Sequence, residues 1–305
     1  MSDNSIIVSV IIPSYGHPDY LVKSINSVIS QTFKDWELIV VDDNDPETEA
    51  RLETEKVMET VMRNDSRIKY IKHEKNKNGA VARNSGFAEA KGVYISLLDS
   101  DDEYISTRLS KCVEAIKNEP EKIAGVYTGC EFRRHGSVFY KSIDITSGNF
   151  LRETLACTFR FFTGSNIFVR KSVVDELKGF DPNFLRHQDY EFLARLFVKY
   201  NLKAIPEILV VKNNENFNVP NFRKIISIKE QYLAKFNSII EQLPDSDKNY
   251  IFQRQYVAIA EDASRAFNLL EAYRYYKLAQ KYGSLSAKDW RRRILIPIAS
   301  VFHAI

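Results

Sequence analysis

The chain reads as an α/β protein built on a mostly parallel, Rossmann-like sheet with helices on both faces, followed by a helical C-terminal region. Three observations predict this. Apolar runs of strand length, Ile6 to Ile12, Trp36 to Val41 and Val93 to Leu98, alternate with stretches whose apolar residues recur at helical spacing. A strand, a helix and a strand in succession make a parallel pair joined by a right-handed crossover. Three strands end in polar clusters, Pro13-Ser14-Tyr15, Asp42-Asp43 and Asp99-Ser100-Asp101, which such a sheet gathers in one crevice beyond its carboxyl edge.

The elements follow in order. Pro18 opens a helix whose apolar face is Leu21, Val22, Ile25, Val28 and Ile29. A helical segment from Glu47 to Arg63 leads to a short strand at Ile68 to Ile71, and Gly79 to Ala90 is the next helix. After the acidic cluster, Leu109, Cys112, Val113 and Ile116 mark a helix with Ser106 as its N-cap. From Ala124 the pattern loosens, with strands at Gly125 to Thr128 and Ser137 to Tyr140 and a turn at Thr163 to Asn166 before the strand Ile167 to Val169. Gly179 closes a short helix over 171–178. Asp189, Phe192, Leu193, Leu196 and Phe197 then share one helical face, which puts Asp189 at a helix start on its inward side. Beyond Asn216 the chain turns helical: Ile225, Ile226, Tyr232, Leu233, Phe236 and Ile240 form one stripe, and Tyr256 to Leu270 and Ala272 to Tyr282 form further helices. The expected domains are 1–215, with a nucleotide-binding half over 1–120 and an acceptor half over 121–215, and a helical extension over 216–305.

Composition narrows the function classes. With 44% hydrophobic and 27% charged residues among 305, the chain is an ordinary folded protein. A formal charge of +3, with basic residues spread along most of the chain, gives no footing for nucleic-acid binding. The 3 cysteines, Cys112, Cys130 and Cys157, lack CxxC spacing, which points to a reducing cytoplasm and not to a disulfide framework. No secretory signal and no bilayer-spanning run are read. The histidines show no HExxH-type spacing, and His17, His73, His135 and His303 are read as structural or exposed.

The acidic cluster Asp99-Ser100-Asp101-Asp102 repels itself unless a cation or hydrogen-bond donors neutralise it. Its hard oxygens suit Mg²⁺ or Mn²⁺, and the other reading is an Asp-rich turn capping the next helix. Among 11 glycines there is no GxGxxG and no GxxxxGK[ST], so a phosphorylated ligand here would rely on a metal, with Arg83 and Lys91 as auxiliaries.

Six motifs in this order resemble the family 2 glycosyltransferases of the GT-A fold. They are Val8 to Tyr15, Ser30-Gln31-Thr32-Phe33, Glu37 to Asp43, Ala82-Arg83-Asn84-Ser85-Gly86, the DXD-containing stretch Leu98 to Asp102, and Gln188-Asp189. Two departures stand out: Tyr15-Gly16 where many members have Tyr-Asn, and Gln188-Asp189 in place of Glu-Asp. The resemblance implies an inverting enzyme that moves a hexosyl or N-acetylhexosaminyl group from a nucleotide diphosphate, expected to be UDP, to an acceptor hydroxyl. It implies that Pro13, Ser14, Tyr15, Asp42, Asp43, Arg83, Asp99 and Ser100 bind the nucleotide, that Asp101 holds Mn²⁺ or Mg²⁺, and that Asp189 is the base, with His187 and Gln188 on the acceptor side. The acceptor is expected to be a saccharide or lipid-linked saccharide of surface polysaccharide synthesis.

Two rivals stand against this reading. A nucleotidyltransferase of related architecture would show a basic, glycine-rich loop after the first strand, and Pro13 to Pro18 is not one; a non-catalytic sugar-nucleotide binder would lack the base, and Asp189 is present. The basic and then apolar segment 289–305 reads as an interfacial anchor, placing the enzyme in the cytoplasm and peripherally on the inner face of the membrane, or as a terminal helix packed on its own core. The C-terminal helices are expected to pack on the catalytic domain or on a second copy of it, the latter giving a homo-oligomer.

Overall fold

β1 (Val8–Ser14) is buried along nearly its whole length, as a strand covered on both faces must be. The computed structural model, which describes residues 6–213, 222–286 and Asp289, builds the sheet outward from this strand. α1 (Pro18–Ile29) starts at its proline and leads to β2 (Trp36–Asp42), parallel to β1 with Ser14 opposite Asp42. α2 (Glu49–Asn64) leads to β3 (Ile68–Lys72), parallel to β2 on its far side. α3 (Gly79–Glu89) brings the chain back to β4 (Tyr94–Leu97), parallel to β1 on the opposite side. The strand order therefore turns at β1, where ligand crevices open in α/β sheets. A β-carbon on Gly86 would come 2.5 Å from Ile11 Cγ2, so this glycine lets α3 lie close against β1.

The remaining elements extend the sheet in mixed directions. They are β5 (Glu103–Tyr104), α4 (Arg108–Ile116), β6 (Ile123–Arg134), β7 (Ser137–Ser142), α5 (Leu151–Leu155), β8 (Phe168–Arg170), α6 (Lys171–Glu176), α7 (Gln188–Lys199) and β9 (Asn201–Asn213). The sheet order is β3-β2-β1-β4-β8-β6-β9-β5, with β7 as an outer hairpin strand on β6. Two strands, β5 and β9, were not expected from the sequence, and β6 runs well past Thr128. The cap of α4 is Thr107, because the carbonyl of Ser106 is engaged by the Thr32 N–H at 2.8 Å. A single-turn 3₁₀ helix over Gly164–Asn166 is tied to β6 by Asn166, whose Nδ2 donates to Thr128 O at 2.8 Å while its Oδ1 accepts from Thr128 N at 2.9 Å.

The described residues fall into two compact units, one within Met1–Asn149 and Arg160–Asn216, the other within Phe150–Phe159 and Phe217–Ile305. A single cut near 215 therefore does not describe the chain: 150–159, expected with the acceptor half, goes with the C-terminal helices. The tie is local. Tyr232 Oη donates to Thr154 O at 3.0 Å and Gln255 Nε2 to Leu155 O at 2.7 Å. In this unit α8 (Phe222–Glu241), α9 (Asp245–Arg265) and α10 (Leu269–Gln280) bury Tyr232, Phe236, Ile240, Ile259, Ala260 and Tyr276. The second of them begins at Asp245, earlier than the expected Tyr256, since Pro244 followed by Asp245 and Asp247 makes a favourable helix N-terminus. Of the segment 289–305, Asp289 is buried and paired with Arg254 at 2.8 Å; residues 290–305 lie outside the described residues. Among the described residues no helix is long and apolar enough to cross a membrane.

Candidate active site

The carboxyl ends of β1, β2 and β4 deliver their polar clusters to one cavity of about 420 Å³, as expected for parallel strands. Pro13, Ser14, Tyr15, Asp43, Arg83, Asp99, Ser100 and Asp101 line it, joined by His17, Asn76, Asn78 and Lys212. A second cavity of about 270 Å³ is lined by His187, Gln188, Asp189, Phe162, Thr163 and Leu185 among others, and it shares Arg83, Asp99 and Lys212 with the first. A third cavity, of about 260 Å³, sits at the opposite strand ends around Trp36, Arg67 and Lys91. Its Glu37 is neutralised by Lys69 at 2.8 Å, and Lys91, expected as an auxiliary to the acidic cluster, lies here and not in the crevice.

Asp42 and Asp43 part company. Side chains alternate along an extended chain, so two adjacent carboxylates at a strand end cannot both face the crevice. Asp43 does: its Oδ1 accepts from Lys77 N at 2.8 Å and lies 2.7 Å from His73 Nδ1, and its Oδ2 accepts from Asn76 Nδ2 at 3.2 Å. His73 is buried, with Nε2 2.9 Å from Ser85 Oγ, so the consistent tautomer donates from Nδ1 to the carboxylate and accepts from the serine. Asp42 was expected to bind nucleotide and does not line the cavity. It is fully buried, accepts from Asn44 N at 2.9 Å, from Asn44 Nδ2 at 2.8 Å and from Tyr70 Oη, and faces Arg51 Nε at 3.2 Å. Through Asn44, whose Oδ1 accepts from Gly16 N at 2.7 Å, this buried pair fixes the loop after β1. The loop needs its glycine, since Gly16 has φ +65°. Arg51→Met should therefore cost about 3–5 kcal/mol in urea unfolding, because it leaves a buried carboxylate unpaired. A loss below about 1 kcal/mol would show that the loop is held by other contacts.

Arg83 joins the two cavities. Its Nη2 donates to Asp99 Oδ1 and its Nη1 to Gln188 Oε1, both at 2.7 Å, and Gln188 Nε2 donates to Phe184 O at 2.7 Å. In a chain with Gln188 where a carboxylate is commoner, the amide oxygen still accepts from the arginine.

The acidic cluster divides into three environments. Burial works against the charge on Asp99, yet Arg83 and Lys212 hold its carboxyl below the ordinary range. Burial and the neighbouring Asp99 push Asp101 up; its backbone carbonyl accepts from Asn213 Nδ2 at 2.9 Å, and among the described residues no side chain donates to its carboxylate. Asp102 is fully buried and pushed up to about 7 by that burial; it accepts from Ser165 Oγ at 2.6 Å and Thr163 Oγ1 at 2.9 Å. Over all three stands Lys212 at the end of β9, its Nζ 3.8 Å from Asp102 Oδ2 and within 3.4 Å of Thr163 Oγ1. Burial lowers the affinity of Lys212 for its proton, but Asp102, Asp99 and Asp101 raise it further, so the side chain is a fixed cation.

Asp189 stands in the first turn of α7, after His187 in the left-handed region at φ 56°. Burial raises its pKa, opposed by the Tyr190 N–H at 2.9 Å and by the field of Arg83. Its place at a helix N-terminus favours the ionised form, but desolvation is the larger effect and raises the pKa. Sequence reasoning missed Lys212, Asn76, Asn78 and Thr163. Only Lys212, placed directly after the apolar run Ile208 to Val211, carried any signal.

Residues 9–178 match the family model described as Glycosyl transferase family 2. An uncharacterized glycosyltransferase of Methanocaldococcus jannaschii is 29% identical over 76% of this chain and 78% of its own length. The UDP-Glc:alpha-D-GlcNAc-diphosphoundecaprenol beta-1,3-glucosyltransferase of Escherichia coli is 31% identical over 65% of this chain and 73% of its own. Further curated relatives are matched over only 41% to 62% of their own lengths. Among solved structures, the mannosyltransferase PcManGT from Pyrobaculum calidifontis, in complex with GDP-Man and Mn²⁺, superposes with a TM-score of 0.58 at 17% identity, covering 98% of this chain and 80% of that one.

Proposed function

The chain belongs to glycosyl transferase family 2 and has the GT-A fold, and on that premise we propose that it transfers a sugar from a UDP-sugar to an acceptor hydroxyl by single displacement with inversion. The observation that carries the reading is the junction of the two cavities at Arg83, Asp99 and Lys212, with Asp43 on one side and Asp189 on the other. Asp43 presents only acceptors to the crevice, which suits the imide N–H of uracil. Asp99 and Ser100 face the ribose. Asp189 takes the proton of the acceptor hydroxyl as that oxygen bonds to the anomeric carbon and the bond to the diphosphate oxygen breaks. Lys212 and Arg83, which line the first cavity, are assigned to the departing diphosphate. Surface-polysaccharide synthesis on a lipid-linked saccharide is the setting in keeping with the acceptor named for the Escherichia coli relative.

The donor set fits a hard divalent metal at one point. Asp101 borders the first cavity with its charge disfavoured by burial and by Asp99, a situation that a cation relieves. Among the described residues no three His, Cys, Asp or Glu side chains gather around one point, so the protein would supply Asp101 and the diphosphate the other oxygens. A bound Mn²⁺ or Mg²⁺ would supply charge neutralisation to the diphosphate.

Calorimetric titration tests both halves of the reading. UDP should bind more tightly than GDP, and Asp101→Asn should weaken UDP binding by about tenfold or more in Mn²⁺ while changing little in EDTA. Equal UDP affinity of the parent with and without metal would remove Asp101 from a metal role, and preference for GDP would overturn the donor assignment.

A further inference from the structure

We infer that the β6–β7 hairpin is a docking edge for an anionic lipid surface, set directly beside the acceptor-side cavity. β6 pairs with β9 on one side and β7 on the other, and Phe132 is the partner of both Lys212 and Tyr140. Cross-strand partners share a face of the sheet, so Lys212, Phe132 and Tyr140 form one row running from the cavity junction to the outer edge. The pairing then slips: Arg133 lies opposite Val138, which leaves Phe139 as the extra residue of a bulge. Bulges re-aim side chains, and this one sets Phe139 as well as Tyr140 against Phe132, with ring centroids 6.2 and 5.4 Å away. On its other side Phe132 meets Phe162 edge-on at 5.8 Å, and Phe162 lines the second cavity. An unbroken aromatic strip thus joins that cavity to the surface.

At the surface the strip is unusually bare. Val138, Phe139 and Tyr140 are 46%, 55% and 45% exposed on an edge strand that a soluble protein ordinarily blunts with charge, and Ile143 just after it is 53% exposed. Cations stand beside the apolar groups on both faces of the hairpin: Arg134, 5.5 Å from the Phe139 ring, on the face of Phe132 and Tyr140, and Arg133 and Lys141, which share the buried Glu131, on the opposite face with Val138. One exposed carboxylate, Asp144, adjoins them. Apolar side chains interspersed with cations match the boundary between acyl chains and anionic headgroups. A neutral saccharide would leave Val138 and Ile143 without apolar counterparts, and a second copy of this hairpin would set Arg133, Arg134 and Lys141 against their own charge. The surface argument is independent of the transfer reading; only its purpose, bringing a lipid-linked acceptor to Asp189, rests on that reading.

The test is sedimentation of the full chain with vesicles of phosphatidylcholine and phosphatidylglycerol at 3:1, against phosphatidylcholine alone. The parent should partition onto the anionic vesicles, and the triple variant Phe139→Ser, Tyr140→Ser, Ile143→Ser should partition about tenfold less. UDP binding should be unchanged in the variant, which separates loss of docking from loss of the nucleotide site. Phe139→Trp should show a blue-shifted emission on anionic vesicles in the difference spectrum against the parent, whose own tryptophans are Trp36 and Trp290. A parent that stays in the supernatant, a triple variant that partitions like the parent, or an unmoved emission would overturn the inference. So would a triple variant that keeps vesicle binding but loses transfer to a water-soluble acceptor, which would make the strip a saccharide subsite.

Discussion

Asp189→Asn is expected to lower turnover by about 10²-fold or more, the usual contribution of a positioned general base, with UDP affinity unchanged. The amide keeps the size of the carboxyl and can still accept from the Tyr190 N–H, so what is lost is the proton acceptor. Its environment sharpens the expectation. Burial makes the carboxyl a stronger base than an exposed aspartate, and the Tyr190 N–H and Arg83 stop the shift from running further. Since only the ionised form can take the acceptor proton, kcat/KM should rise with pH through this group. The acid limb should lie above the ordinary aspartate value of about 3.9. That limb should vanish from the residual rate of the variant. Near-parental turnover in Asp189→Asn would remove the residue from the mechanism, and loss of UDP binding would assign it to the fold.

How much of this was legible in the sequence depended on whether a group's position is set locally. The crevice could be read because strand ends are marked by the residue run itself: Asp43, Asp99 and Asp101 line it, and Asp189 lines the adjoining cavity. Asp42 was misread for a local reason that was in plain view: it is the last strand residue, paired opposite Ser14, and the alternation turns it away from Asp43 into the Arg51 and Tyr70 pocket. Arg51 itself is nine positions away on a helix, and nothing in its surroundings marks it as a buried partner. The 150–159 segment was lost for a different reason. It is held by the carbonyls of Thr154 and Leu155, and a backbone acceptor has no sequence signature. Lys212 was not among the cations expected beside a metal, because it comes from a strand more than a hundred residues beyond the acidic cluster, whose pairing with β6 brings it over those carboxylates.

Lys212→Met should be the other large loss. Three carboxylates hold this cation at the junction of the two cavities, where in the proposed reaction a departing diphosphate would gain charge as its bond to the sugar breaks. A fixed charge aimed at a developing anion needs no reorganisation when the bond breaks, and removing one such group typically costs about 10²–10³ in turnover. The rate can be followed as UDP release from a UDP-sugar with water as acceptor, so no natural acceptor has to be known. A purely structural role would also make the variant sluggish, and metal binding separates the two. With Lys212 gone, the repulsion among Asp99, Asp101 and Asp102 is no longer offset, so a divalent cation should bind there more readily. Half-maximal UDP binding should then require less Mn²⁺ even as the maximal rate falls. Lys212→Arg, which keeps the charge, should recover part of the rate. Parental UDP release in Lys212→Met would show that Arg83 and the metal suffice. Loss of rate with loss of the cooperative urea transition would mean that the lysine serves only to hold the acidic cluster together.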